Sequence, residues 1–185
     1  MKELNLKKLL TDALDFHRKG RLDKADEIYL KIINIKPDDF DSNHLHGVVL
    51  SQKKNYDESI EYYEKAYSIN QNNCELLNNY GISLKNTSNY IKSIKMLKKA
   101  IEYDINFTKS YLNLANCYSA QKKYDDALKT LEEGKKIDPN DTRFTKNIIN
   151  IYIERYSLSK DKIHLRKAIE YLDKIDINET FDQKL

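Results

Sequence analysis

The sequence predicts an all-α fold, a solenoid of antiparallel helix–turn–helix hairpins. Three observations carry that expectation. The 185-residue chain has only four glycines and two prolines, far fewer turn residues than an all-β chain needs. Its small residues return at a fixed interval: Ala13, Gly47, Gly81 and Ala115 stand 34 residues apart, and so do Ala25, Ser59, Ser93 and Ala127. A third row, Ile32, Ala66, Ala100 and Gly134, keeps the same step, and Pro37 and Pro139 lie three such steps apart. Self-similarity at a period of about 20–50 residues marks a stack of supersecondary units rather than a single globule.

Large residues keep the same beat. Phe16, Leu50, Leu84 and Tyr118 form one row, Tyr29, Tyr63, Leu97 and Leu131 a second, and Leu22, Tyr56, Tyr90 and Tyr124 a third. Small residues on two facing helices let the backbones approach, and large ones fill the space that remains. A lone hairpin cannot bury its apolar face, so neighbours must stack, and about three units are needed for stability.

This arrangement resembles the tetratricopeptide repeat, a helix–turn–helix unit of about 34 residues. Its signature wants a large residue at position 4, a large–small pair at 7 and 8, an aromatic at 11, Ala at 20, an aromatic at 24, Ala at 27 and Pro at 32. With Leu6, Phe40, Cys74 and Thr108 as first residues, four repeats cover 6–39, 40–73, 74–107 and 108–141. The departures are local: Asp12 stands where Leu is usual, Asn43 where a large residue is usual, and Gln71 and Ile105 replace the terminal Pro. The resemblance implies a right-handed α-solenoid.

Residues 142–175 read as a divergent fifth hairpin. Ile148, Ile149 and Tyr152 occupy its first helix, with Ile149 bulky where a small residue is expected. The segment LRKAIEYLDKI (165–175) closely resembles YDESIEYYEKA (56–66). Aligning them sets Ala168 at position 20 and implies a seven-residue insertion, with a lengthened first helix and a loop around Ser157–Lys162. The strict register, with Leu165 and Ala168 at positions 24 and 27, also fits. Residues 176–185 are a tail or the start of a capping helix. Solenoids usually end in a polar-faced cap, so an open end is a candidate surface for self-association.

Composition narrows the function classes. Charged residues are 33% of the chain and the mean hydropathy is −0.76, which implies a heavily solvated surface. The formal net charge of +3 is too mild for the basic stripe of a nucleic-acid binder. The opening MKELNLKKLLTDALDF has no continuous apolar core, so it is not a secretory signal. No window approaches the ~18 apolar residues of a membrane span, and the expected location is the cytoplasm. Cys74 and Cys117 have no metal-type spacing.

No catalytic residue, metal or cofactor is expected. His44 and His46 are two apart, which on a helix points them to different faces, and no second ligand pair accompanies them. The pairs Asp125–Asp126 and Glu132–Glu133 fall on a solvated helix face, away from any concave pocket that could perturb them. There is no Gly-rich phosphate loop and no nucleophile elbow. The tyrosine rows follow the repeat and read as core rather than as a base-stacking platform.

The resemblance implies a binding groove lined by the first helix of each hairpin, through positions 2, 5, 6, 9, 12 and 13. Position 6 runs Thr11, Leu45, Asn79, Asn113, Asn147, and position 9 runs Leu14, Val48, Ile82, Asn116, Asn150. Lys109, Arg143 and Lys146 add charge at positions 2 and 5. One half of the groove is thus apolar and the other rich in asparagine. A side-chain amide both donates and accepts, matching an extended peptide backbone without demanding a sequence. The asparagines at successive steps are similar to the ladder in the superhelix of O-linked N-acetylglucosamine transferases. The carboxylate clamp of heat-shock co-chaperones, by contrast, is not matched from any starting repeat. The implied function is a scaffold for a protein or peptide partner, and the alternative is the docking portion of a larger enzyme of glycosyltransferase or sulfotransferase type.

Overall fold

The computed structural model describes the backbone of residues 2–182 and the side chains of residues 5–173. Among the described residues it contains ten helices and no strand. The chain forms two compact units, residues 1–103 and 104–185. The first holds α1 (Lys2–Arg18), α2 (Leu22–Ile35), α3 (Phe40–Gln52), α4 (Tyr56–Ile69), α5 (Cys74–Asn86) and α6 (Tyr90–Tyr103). The second holds α7 (Thr108–Ala120), α8 (Tyr124–Ile137), α9 (Thr142–Ser159) and α10 (Lys162–Asp182).

Consecutive helices pair as hairpins, and the first four hairpins close in the same way. One residue between the helices takes a positive φ: Gly20 at 70°, Lys54 at 65°, Ser88 at 62° and Lys122 at 58°. The next residue's N–H then reaches five positions back, Arg21 to Phe16 O, Asn55 to Leu50 O, Asn89 to Leu84 O and Lys123 to Tyr118 O, at 2.8–2.9 Å. This left-handed cap satisfies carbonyls the helix end would leave unpaired. Only the first turn uses glycine, so the composition hides three of the four closures.

The turns between hairpins are set by caps on the 34-residue beat. Asp39 accepts from Ser42 N–H, Asn73 from Leu76 N–H and Asp141 from Arg143 N–H, starting α3, α5 and α9. Phe107 takes the equivalent place before α7 and makes no side-chain cap. Asn43, which breaks the repeat's usual pattern, has a local reason. Its buried amide donates to Pro37 O at 2.9 Å and Asp39 O at 2.8 Å, tying down the preceding turn.

Packing follows the small–large rows. Tyr29, Tyr63, Leu97 and Leu131 are 0–1% exposed, each four residues beyond a buried Ala or Ser. A Cβ on Gly47 would lie 2.7 Å from Tyr63 Cε1, and one on Gly81 would lie 2.7 Å from Leu97 Cγ. These glycines are seats for the large residue on the partner helix. Burying each such side chain contributes roughly 1.5–3 kcal/mol, which outweighs the ~1 kcal/mol of helix propensity lost at glycine.

The last hairpin departs from its neighbours. Helix α9 has 18 residues where α3, α5 and α7 have 13. The loop expected around Ser157–Lys162 shrinks to Lys160 and Asp161. Ser157 and Ser159 lie within α9, their hydroxyls donating back to Glu154 O and Arg155 O, a bond serine can make without leaving the helix. Lys160, at φ 58°, ends α9, and Asp161 accepts from Ile163 N–H to start α10. Residues 176–182 continue α10 rather than opening a separate helix, and residues 183–185 lie outside the described residues. Ala168 is buried within this hairpin.

Candidate peptide-binding groove

Seven of the eight groove residues expected from the sequence belong to the second unit, on α7 and α9, which pack against one another. Asn79 stands on α5 of the first unit. Asn113 on α7 and Asn147 on α9 are half-buried, while Asn116 and Asn150, three residues further along each helix, are exposed. Two adjacent helices therefore each offer one sheltered and one solvated amide. Residues three apart share a helix face, so each pair forms one short polar strip.

The amides are not equally available. Asn147 Nδ2 donates to Arg143 O at 2.8 Å, within its own helix. Its carbonyl oxygen is the end left for another partner. Asn79 Nδ2 sits 3.3 Å from His44 Nε2, and its carbonyl lies 3.5 Å from Asn78 Nδ2. That asparagine is locked into a side-chain chain instead of standing open.

The three cations separate too. Arg143 is exposed, but its guanidinium forks onto Asp141: Nε lies 2.9 and 3.1 Å from the two carboxylate oxygens and Nη2 lies 2.7 Å from Oδ2. Those bonds hold the Asp141 carboxyl below the usual carboxylate range. A bidentate pair of this kind satisfies the guanidinium, so Arg143 acts first as part of the cap of α9. Lys109 and Lys146 are exposed, with Lys109 Nζ over the Phe107 ring at 5.9 Å.

The first unit carries a different, more buried polar cluster. His44, a groove position by the repeat, is 7% exposed and packs between the rings of Phe40 and Tyr63. Burial pushes its pKa from 6.5 down to about 4, so it is neutral near pH 7. His46 turns the other way, with Nε2 2.6 Å from Asp26 Oδ1, while Lys53 Nζ lies 2.9 Å from both Asp23 and Asp26. Desolvation lowers the His46 pKa against the pull of Asp26. Among the described residues, no group of three or more His, Cys, Asp or Glu is placed to hold a metal, and no helix is long and apolar enough to cross a membrane.

Two models of the tetratricopeptide repeat match the sequence, one over residues 16–39 and 40–73 and the other over residues 87–146. The chain is built of tetratricopeptide repeats. Proteins of this class are generally non-catalytic scaffolds that bind other proteins. Solved structures agree in fold. A crystal structure of MamA protein is 20% identical, with 94% of each chain covered and a TM-score of 0.78. MamA 41-end from Desulfovibrio magneticus RS-1 is 13% identical over 91% of this chain and 96% of its own, with a TM-score of 0.76. Pseudomonas aeruginosa pilF is 18% identical over 93% of this chain and 77% of its own, with a TM-score of 0.75. At these identities the likeness is one of fold alone. No curated protein matches the sequence at significance. The Arg143–Asp141 fork and the burial of His44 are local side-chain events that the repeat pattern does not encode.

Proposed function

We propose that this protein is an interaction scaffold that holds an extended peptide, or a partner helix, on the α7–α9 face of its second unit. The observation that carries the reading is the paired placement of four amides, Asn113 and Asn116 on α7 and Asn147 and Asn150 on α9, at one 34-residue step. Amides at such a spacing suit the alternating N–H and C=O groups of an extended chain, and side-chain identity in the guest is left free. Similarity to the asparagine ladder of O-linked N-acetylglucosamine transferases supports the same reading. Exposed Lys109 and Lys146 favour a guest with acidic side chains or a C-terminal carboxylate, while Arg143, held by Asp141, contributes less to that preference.

The test begins by capturing partners from the native host and mapping the bound segment with peptides. The Asn113→Ala/Asn147→Ala variant is then expected to bind the mapped peptide at least about fivefold more weakly, with its helical circular dichroism retained. Removing two direct hydrogen bonds at ~0.5–1.5 kcal/mol each sets that scale. Equal binding by wild type and variant would reject the ladder.

A further inference from the structure

Helix α10 carries an apolar row that the described residues leave uncovered. Leu165, Ile169 and Leu172 are 37%, 48% and 47% exposed. Leu172 follows buried Ala168 by four residues, just as Tyr29 follows Ala25 and Leu131 follows Ala127, and those partners are fully buried. At 100° per residue the three side chains fall within about 60° of arc, forming one narrow stripe. Tyr171 is turned inward instead, its hydroxyl bonded to Glu132 of α8. The hairpin thus holds its own shape without burying the stripe.

The charges beside the stripe run in a definite order. Lys162 and Arg166 precede Ile169, and Glu170 and Asp173 follow it; all four are exposed. Arg166 and Asp173 lie on the same flank of the stripe, about 20° apart around the helix axis. A helix that is basic then acidic along one flank complements its own reverse. In an antiparallel pair, like flanks meet, so Arg166 of one copy faces Asp173 of the other and the reciprocal contact follows by symmetry. A parallel pair would not bring that flank onto itself.

We infer that α10 docks against α10 of a second copy, antiparallel, across a two-fold axis near Ile169. This specifies a mode of self-association for the last hairpin, and it stands independently of the peptide groove. The occupant is identified by charge order: α10 is itself a helix of the required polarity and is present at the same concentration. Isologous contacts of this kind use one patch twice and close after two copies. Leu165, Ile169 and Leu172 of each helix interleave, and the flanking ion pairs select the antiparallel orientation, as such pairs do in helical coiled coils.

The experiment is sedimentation of the 185-residue chain over a range of concentrations, with charge reversals on α10. Wild type is expected to dimerise. Arg166→Glu alone, or Asp173→Arg alone, turns both symmetric attractions into repulsions and should weaken the dimer at least tenfold. Mixing the two variants restores one new and one native ion pair, so a heterodimer of near wild-type strength should form. Circular dichroism of each variant checks that the helices are intact, since both residues are exposed. A wild-type chain that stays monomeric at every concentration overturns the inference. So does a dimer indifferent to the reversals, or one that mixing fails to rescue, because its contact would lie elsewhere or would involve a different partner for α10.

Discussion

Replacing Gly134 with alanine should destabilise the second unit, although alanine is the better helix former. Gly134 is buried on α8, and a Cβ there would lie 2.3 Å from Phe144 Cε1, 2.6 Å from Phe144 Cζ and 2.9 Å from Tyr111 Cβ. Ordinary carbon contacts are about 3.5–4.0 Å, so the Phe144 ring must retreat by more than about 1 Å. Phe144 is fully buried and has little free volume to enter, and a Cβ such as that of Tyr111 cannot swing aside without its backbone. Overpacking of this kind costs about 1–3 kcal/mol, and the severity of the clash puts it in the upper part of that range. The propensity gain of ~1 kcal/mol offsets part of it. The net expectation is a loss of about 1–2 kcal/mol, read as a fall of roughly 3–8 °C in the helical melting midpoint. Phe144→Leu should relieve the clash. In that background Gly134→Ala should be neutral or slightly stabilising, giving a favourable coupling in a double-mutant cycle. An unchanged or raised midpoint for the single variant, or no coupling to Phe144, would show that α8 and α9 do not meet at this seat.

Two further outcomes test the first unit. Because folded His44 protonates only near pH 4 while the unfolded residue protonates near 6.5, the unfolded state binds more protons between those values. Stability is therefore full above about pH 6.5 and is lost as pH falls toward 4, by about 3 kcal/mol in all. Denaturation midpoints of His44→Leu should accordingly decline less over pH 7 to 4.5 than those of wild type, and parallel slopes would refute the assignment. Ser83 is fully buried, with its Oγ 2.9 Å from Ser59 Oγ and 3.2 Å from Ser51 Oγ; Ser83→Ala removes the shared partner and should cost about 1 kcal/mol in urea denaturation, whereas no loss would mean the hydroxyls find other partners.

What the sequence discloses, and what it hides, follows from the range of each interaction. A glycine facing a large side chain leaves a trace at both positions, and a repeated unit writes that trace several times. Gly47 against Tyr63 and Gly81 against Leu97 are the same contact one period apart, so the all-helical repeat fold is legible in the sequence. Polar side chains leave no such trace, because their partners are chosen by local geometry. Arg143 looks like a groove cation by its position in the repeat, yet Asp141 two residues earlier is already fixed as the cap of α9 and engages it first. Asn79 looks like a ladder rung, yet buried, neutral His44 takes up its amide. The same reasoning explains the last hairpin. Its length is ambiguous in the sequence because two registers about two helical turns apart both place apolar residues inward, and serines such as Ser157 and Ser159 occur in loops as readily as in helices that bond their hydroxyls back to Glu154 O and Arg155 O. The stripe on α10 is visible as a contrast at Leu172: the residue four beyond the buried small one, sealed as Tyr29, Tyr63, Leu97 and Leu131 in the other hairpins, here meets solvent. Periodicity does not say what covers this face; the charge order beside Leu165, Ile169 and Leu172 is what argues for α10 of a second copy.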